Sequence, residues 1–145
     1  MLSEFLSPKR IRIDAQVQSL EEAVLLCGRL LVDDGCAAAG YPEAMVKTVR
    51  QLGDAIVMAP KTALPHAAFS EGGLRPAVAA VRLAYPLDAG GVNGPVRLLL
   101  GFCGTDADSH MKVLSNLARF LSRPDAVSSL LNAPTAEALY QALCR

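Results

Sequence analysis

Val78-Ala79-Ala80-Val81-Arg82-Leu83 and Val96-Arg97-Leu98-Leu99-Leu100-Gly101-Phe102 decide the fold, with a Gly- and Pro-rich stretch from Pro86 to Pro95 between them. Each is a short, nearly continuous apolar run bounded by Gly or Pro, a pattern that suggests a buried strand but is also open to a buried helix segment. Ala55-Ile56-Val57-Met58-Ala59 is a third such run, and Pro86 to Pro95 reads as a loop. Near the start, Ile11 and Ile13 alternate with Arg10, Arg12 and Asp14 in a shorter strand-like segment.

Helical patterns flank these runs. Ser19 with Glu22 forms a capping box, and Leu20, Ala23, Val24, Cys27, Leu30 and Leu31 follow at helical spacing until Gly35. Pro42 opens a second helix, carrying Ala44, Met45, Val46 and Val49, which Gly53 ends. After the strands, Asp108 or Ser109 can cap a helix running through Met111, Val113, Leu114, Leu117 and Leu121. A short helix follows from Pro124 to near Asn132, and Thr135 caps the last. Helices at both ends with strands between predict a layered α/β domain, helices covering a sheet. The 145 residues suit one domain, 1–145, whose core needs no staples.

Composition narrows the function. Fourteen Lys and Arg balance fourteen Asp and Glu, which argues against nucleic-acid binding by bulk charge. With 52% hydrophobic and 19% charged residues, the chain is not of the disordered class. No apolar run reaches the ~18 residues of a membrane span, and no leader-like segment opens the chain. Cys27, Cys36, Cys103 and Cys144 form no CxxC pair and are not spaced with histidines as zinc ligands; Cys27 and Cys103 read as small buried hydrophobes. Reduced thiols in a cytoplasm are therefore expected.

Two histidines carry the candidate chemistry. His66 lies in Ala63-Leu64-Pro65-His66-Ala67, where Pro65 stiffens the backbone entering it. A firmly held imidazole at a strand edge suits a nucleophile or base. His110, in Asp108-Ser109-His110, falls at a predicted helix start, where the backbone field favours an anion and disfavours imidazolium. One ring could attack phosphorus while the other, with nearby N–H groups, neutralises charge on oxygen. Asp106 or Asp108 could instead complete a metal site with the histidines. No G-x-S-x-G, Walker A or G-x-G-x-x-G motif is present, so hydrolase and nucleotide-binding readings lack support.

Met58-Ala59-Pro60-Lys61-Thr62-Ala63-Leu64-Pro65-His66-Ala67 closely resembles the phosphorylation-site motif of enzyme IIA domains of the bacterial sugar phosphotransferase system. The type is that of mannitol and fructose, and the ascorbate-like branch looks nearest, through Ala59-Pro60, the Pro65-His66 core and Glu71-Gly72. The resemblance continues through Tyr85-Pro86-Leu87 and Pro95-Val96 into 106–121, where a second histidine opens a helix. It implies a three-layer α/β/α sandwich around a mixed central sheet. It also implies that His66 accepts a phosphoryl group from the phosphocarrier protein HPr and passes it to an enzyme IIB cysteine. His110 would then help to stabilise the phosphoryl group. A membrane enzyme IIC would be an indirect partner, and no metal, nucleotide or other cofactor is needed. Protein partners imply a shallow site, with Leu64, Ala67, Ala68 and Phe69 as a possible docking surface.

Thr62 stands where the family commonly has an aliphatic residue, and Ala67 where Gly is commonest. The Thr62 hydroxyl could serve the site or bond the local backbone. Arg50 lies at about the distance of a functional arginine of mannitol-type relatives, but that role is not carried over. The runner-up reading is a regulatory enzyme IIA-like protein that selects partners by its phosphorylation state.

Overall fold

The computed structural model describes residues 1–145. Its sheet has five strands: β1 (Ile11–Ala15), β2 (Val57–Ala59), β3 (Thr62–Ala63), β4 (Ala77–Leu87) and β5 (Val96–Cys103). They lie in the order β1-β4-β5-β3-β2. β1 runs parallel to β4 and β3 parallel to β5, whereas β4–β5 and β2–β3 are antiparallel, so the sheet is mixed. Helices α1 (Leu20–Asp33) and α2 (Tyr41–Leu52) cover one face; α3 (Ala107–Leu121), α4 (Ala126–Leu131) and α5 (Ala136–Cys144) belong to the other. The result is the expected three-layer α/β/α sandwich.

The strand alternation divides the core. Ala77, Ala79, Val81 and Leu83 join α1 and α2 in one apolar cluster, while Val78 and Ala80 join α3 to α5 in the other. On β5, Leu99 and Cys103 face the first cluster and Leu98, Leu100 and Phe102 the second. Burial on both faces explains why these strands read as continuous apolar runs. Cys27 and Cys103 are fully buried within the first cluster. No helix is long and apolar enough to cross a membrane.

Helix ends follow their caps. Ser19 Oγ accepts from the Glu22 N–H (3.1 Å), and Thr135 Oγ1 from that of Ala138 (3.0 Å). The reciprocal contact differs: Glu22 accepts from the Gln18 N–H rather than from Ser19. Three further expectations are corrected. Only Val57–Ala59 of the first apolar run is strand, because 53–56 winds into a 3₁₀ turn. β4 continues through Tyr85-Pro86-Leu87, where Leu87 pairs with Val96 beyond an irregularity that accommodates Pro86, so the loop begins later than Pro86. α3 is capped by Asp106, not by Asp108 or Ser109. The Asp106 carboxylate accepts from the Ser109 N–H (2.8 Å), and Ser109 Oγ accepts from the Asp106 N–H (3.2 Å).

Two arginines break the apolar pattern and are paired. Arg82, only 6% exposed, donates to the carbonyls of Leu130 (2.9 Å), Leu131 (3.3 Å) and Ala133 (2.6 Å), closing the end of α4. Arg10, equally buried, donates to the carbonyls of Val78 and Phe5 and pairs with Asp34.

Candidate functional site

The site lies where β3 and β5 end on the same side of the sheet. The Thr62–Ala63 strand runs into Leu64-Pro65-His66, and the backbone there is pinned residue by residue. The Leu64 N–H donates to the Ile56 carbonyl (2.9 Å), and the Pro65 carbonyl accepts from the Phe102 N–H (3.2 Å). Beyond the histidine, the Ala67 N–H donates to the Tyr41 hydroxyl (3.1 Å).

The His66 ring, half-buried, stacks on Phe102 with centroids 4.7 Å apart and planes 25° from parallel. Its Nδ1 lies 2.8 Å from the Leu64 carbonyl oxygen. A carbonyl can only accept, so in the neutral ring Nδ1 carries the proton and Nε2 keeps its lone pair. The ring is thus held at one nitrogen and nucleophilic at the other.

His110 meets His66 edge-on, with ring centroids 5.5 Å apart, and Phe102 touches both (5.2 Å to His110). The two sequence-predicted residues therefore converge. Because α3 begins one turn before His110, its N–H is occupied, donating to the Asp106 carbonyl (3.0 Å). His110 therefore lies in the first turn of α3 but not at its opening residue, which is Ala107. Burial, and then the neighbouring His66, lower its pKa below the usual 6.5, which favours the uncharged ring. Its Nδ1 is buried without a hydrogen-bond partner.

Two glycines make the approach possible. A Cβ on Gly104 would stand 2.7 Å from both the Cα and the N of His110. One on Gly73 would stand 1.7 Å from the Gly104 carbonyl oxygen. Backbone therefore packs directly on backbone beneath His110. Gly73 is thus part of a packing surface.

Other expectations are redistributed. Thr62 is fully buried and its hydroxyl donates to the Pro60 carbonyl (2.9 Å), leaving it local to the β2–β3 turn. Arg50 forms a two-pronged exposed pair with Glu21 (2.9 and 2.7 Å), joining α2 to α1. Asp106 uses its carboxylate as the α3 cap. Leu64 and Ala67 are each 1% exposed, so they support the site from below and form no docking surface; Ala68 and Phe69 do face solvent. Met111, next to His110, is also exposed. A surface cleft of about 550 Å³ lies among Lys9, Arg10, Asp34 and Arg75 and includes neither histidine.

Phe102, Tyr41, Gly73 and Gly104 were not anticipated as site residues. A tyrosine at the first turn of a helix with an apolar buried face does signal a hydroxyl needing a partner. A glycine between a strand and a histidine-bearing helix signals close approach.

The family model for the phosphoenolpyruvate-dependent sugar phosphotransferase system, EIIA 2, matches residues 4–145. The ascorbate-specific PTS system EIIA component of Escherichia coli K12 is 33% identical over 106 residues, which is 72% of this chain and 69% of that protein. The solution structure of the mannitol-specific cryptic phosphotransferase enzyme IIA CmtB from Escherichia coli superposes with a TM-score of 0.87 at 25% identity, covering 98% of this chain and 97% of that one. The Escherichia coli mannitol enzyme IIA, solved in complex with phosphorylated enzyme IIB, shares the fold at a TM-score of 0.82 and 18% identity, covering 96% of each chain.

Proposed function

From the premise that the chain belongs to the EIIA 2 family of the phosphoenolpyruvate-dependent sugar phosphotransferase system, we propose that it carries a phosphoryl group on Nε2 of His66. The observation that carries this reading is the contact between His66 Nδ1 and the Leu64 carbonyl (2.8 Å), which leaves Nε2 bare and aimed by the stacked ring. Nε2 attacks the phosphorus of a phosphohistidine on HPr; the new N–P bond forms as the donor's N–P bond breaks. A cysteine thiolate of enzyme IIB then attacks the same phosphorus, and the bond to Nε2 breaks. Both partners bring their own nucleophile, so the chain contributes position and charge neutralisation.

His110 sits beside the phosphoryl position as an uncharged ring able to donate one N–H to a phosphoryl oxygen. Large protein substrates suit a site outside that surface cleft. The cargo is ascorbate or a related sugar, favoured over a purely regulatory role by Ala59-Pro60, Glu71-Gly72 and the ascorbate-specific relative. The same reading puts the protein in the cytoplasm, with membrane enzyme IIC as an indirect partner.

The test is incubation with phosphoenolpyruvate, enzyme I and cognate HPr, followed by intact mass under alkaline conditions. The expected result is a gain of one acid-labile phosphate that is absent in His66→Ala. Equal phosphorylation of His66→Ala would overturn the assignment.

A further inference from the structure

We propose that Tyr41 is a positioning residue for phosphoryl transfer, its buried hydroxyl locking the backbone after His66 to the strand residue on which the imidazole stacks. The proposal rests on the reading of His66 as phosphoryl acceptor.

Tyr41 opens α2 and is fully buried, so it touches neither solvent nor a partner. Its oxygen accepts from the Ala67 N–H (3.1 Å) and lies within reach of the carbonyls of Phe102 (2.9 Å) and Ala67 (3.2 Å). One hydroxyl proton serves one carbonyl, and that of Phe102 is nearer. The bridge therefore joins the residue directly after His66 to the residue directly beneath its ring. It complements the contact on the other side, where the Phe102 N–H meets the Pro65 carbonyl. Pro65 and Ala67 are thus both tied to Phe102, one directly and one through Tyr41, and His66 is suspended between them. Its Nδ1 reaches back to Leu64, so any swing of the 66–67 backbone lengthens the bond that keeps Nε2 unprotonated. Removing the hydroxyl also leaves the buried Ala67 N–H without a partner, which favours such a swing.

Tyr41→Phe keeps the ring and deletes the bridge. With phospho-HPr as donor, kcat for transfer should fall about tenfold, because aim is lost, while KM stays within about twofold, because the exposed surface is unaltered. Imidazole ¹⁵N shifts should show His66 as the Nδ1–H tautomer in the wild type and as a mixture with Nε2–H in the variant. Val49→Ala, two turns along α2, thins the same helix's packing but keeps the hydroxyl; it should lower Tm and move neither readout. In the wild type the Ala67 amide should be strongly protected from hydrogen exchange, a measurement that needs no variant.

An unchanged tautomer and rate in Tyr41→Phe, an equal effect of Val49→Ala, or an unprotected Ala67 amide would each overturn the proposal. Failure of wild-type His66 to accept phosphate would instead overturn the functional reading. The tautomer and exchange data would still decide the link from Tyr41 to His66.

Discussion

Gly104→Ala tests whether the spacing of the two imidazoles depends on the backbone contact beneath them. The added methyl would stand 2.7 Å from the Cα and N of His110 and 3.0 Å from its Cβ. Comfortable contacts between such atoms lie at about 3.5–4.0 Å, so the first turn of α3 must retreat by about 1 Å. Neither neighbour is the end of a flexible side chain, and Gly73 presses on the Gly104 carbonyl from behind, so the strand cannot yield instead. Overpacking of this kind costs about 1–3 kcal/mol, which lowers Tm by about 4–8 °C for a 2 kcal/mol loss in a domain of this size. Displacing His110 by that distance should slow phosphoryl transfer by about ten- to a hundredfold. The assay is single-turnover transfer from phospho-HPr, run well below Tm, in wild type, Gly104→Ala, His110→Ala and the double variant. If the alanine acts through the displaced ring, it costs little once that ring is gone, and the two losses are far from additive. A wild-type rate in Gly104→Ala, or fully additive losses, would refute the reasoning.

Two other outcomes follow from the structure. The folded pKa of His110 is depressed below 6.5, so the unfolded chain binds this proton more readily. Stability must therefore fall as pH drops below about 6.5, and His110→Gln should flatten that fall in urea titrations between pH 7.5 and 5.5; equal slopes would contradict the depressed pKa. Arg82→Ala removes the donor to three carbonyls at the end of α4 and should cost about 3 kcal/mol, read as a fall in Tm of about 6–12 °C, with transfer at low temperature intact. A Tm change under about 2 °C would mean that water replaces the guanidinium without loss.

The layers were legible because period and punctuation agree. Val78–Leu83 and Val96–Phe102 are too short and too apolar to be amphipathic helices, and Ser19, Pro42, Gly53 and Thr135 mark helix ends by local chemistry. Errors arose where one residue could serve two local roles. Asp106, Asp108 and Ser109 can all cap a helix, and only the reciprocal bonds between Asp106 and Ser109 select the first. Pro86 normally ends a strand, yet an irregular register lets β4 pass it and pair again at Leu87. The two-residue β3 is too short for any periodicity, although it delivers His66 to the site. His66 and His110 were found as residue types in context. Their supports were not, because Tyr41, Phe102 and Gly104 act through contacts 26 to 61 residues away in sequence or through space that a side chain would fill.

The neutral state of His110 fits a carrier that must both accept and release. Two imidazolium rings 5.5 Å apart would repel by about 1 kcal/mol in water and about 3 kcal/mol at an effective dielectric of 20. That repulsion, added to burial, favours an uncharged His110 in the empty site. On the proposed function, a phosphoryl dianion on Nε2 would reverse the sign, and a proton on His110 would be attracted about twice as strongly at the same separation. The same ring can therefore remain uncharged before transfer and gain basicity after it, without any movement of the backbone. Stabilisation that grows only as phosphoryl charge arrives does not require a tight ground state. The phosphoryl group then stays transferable to the next nucleophile.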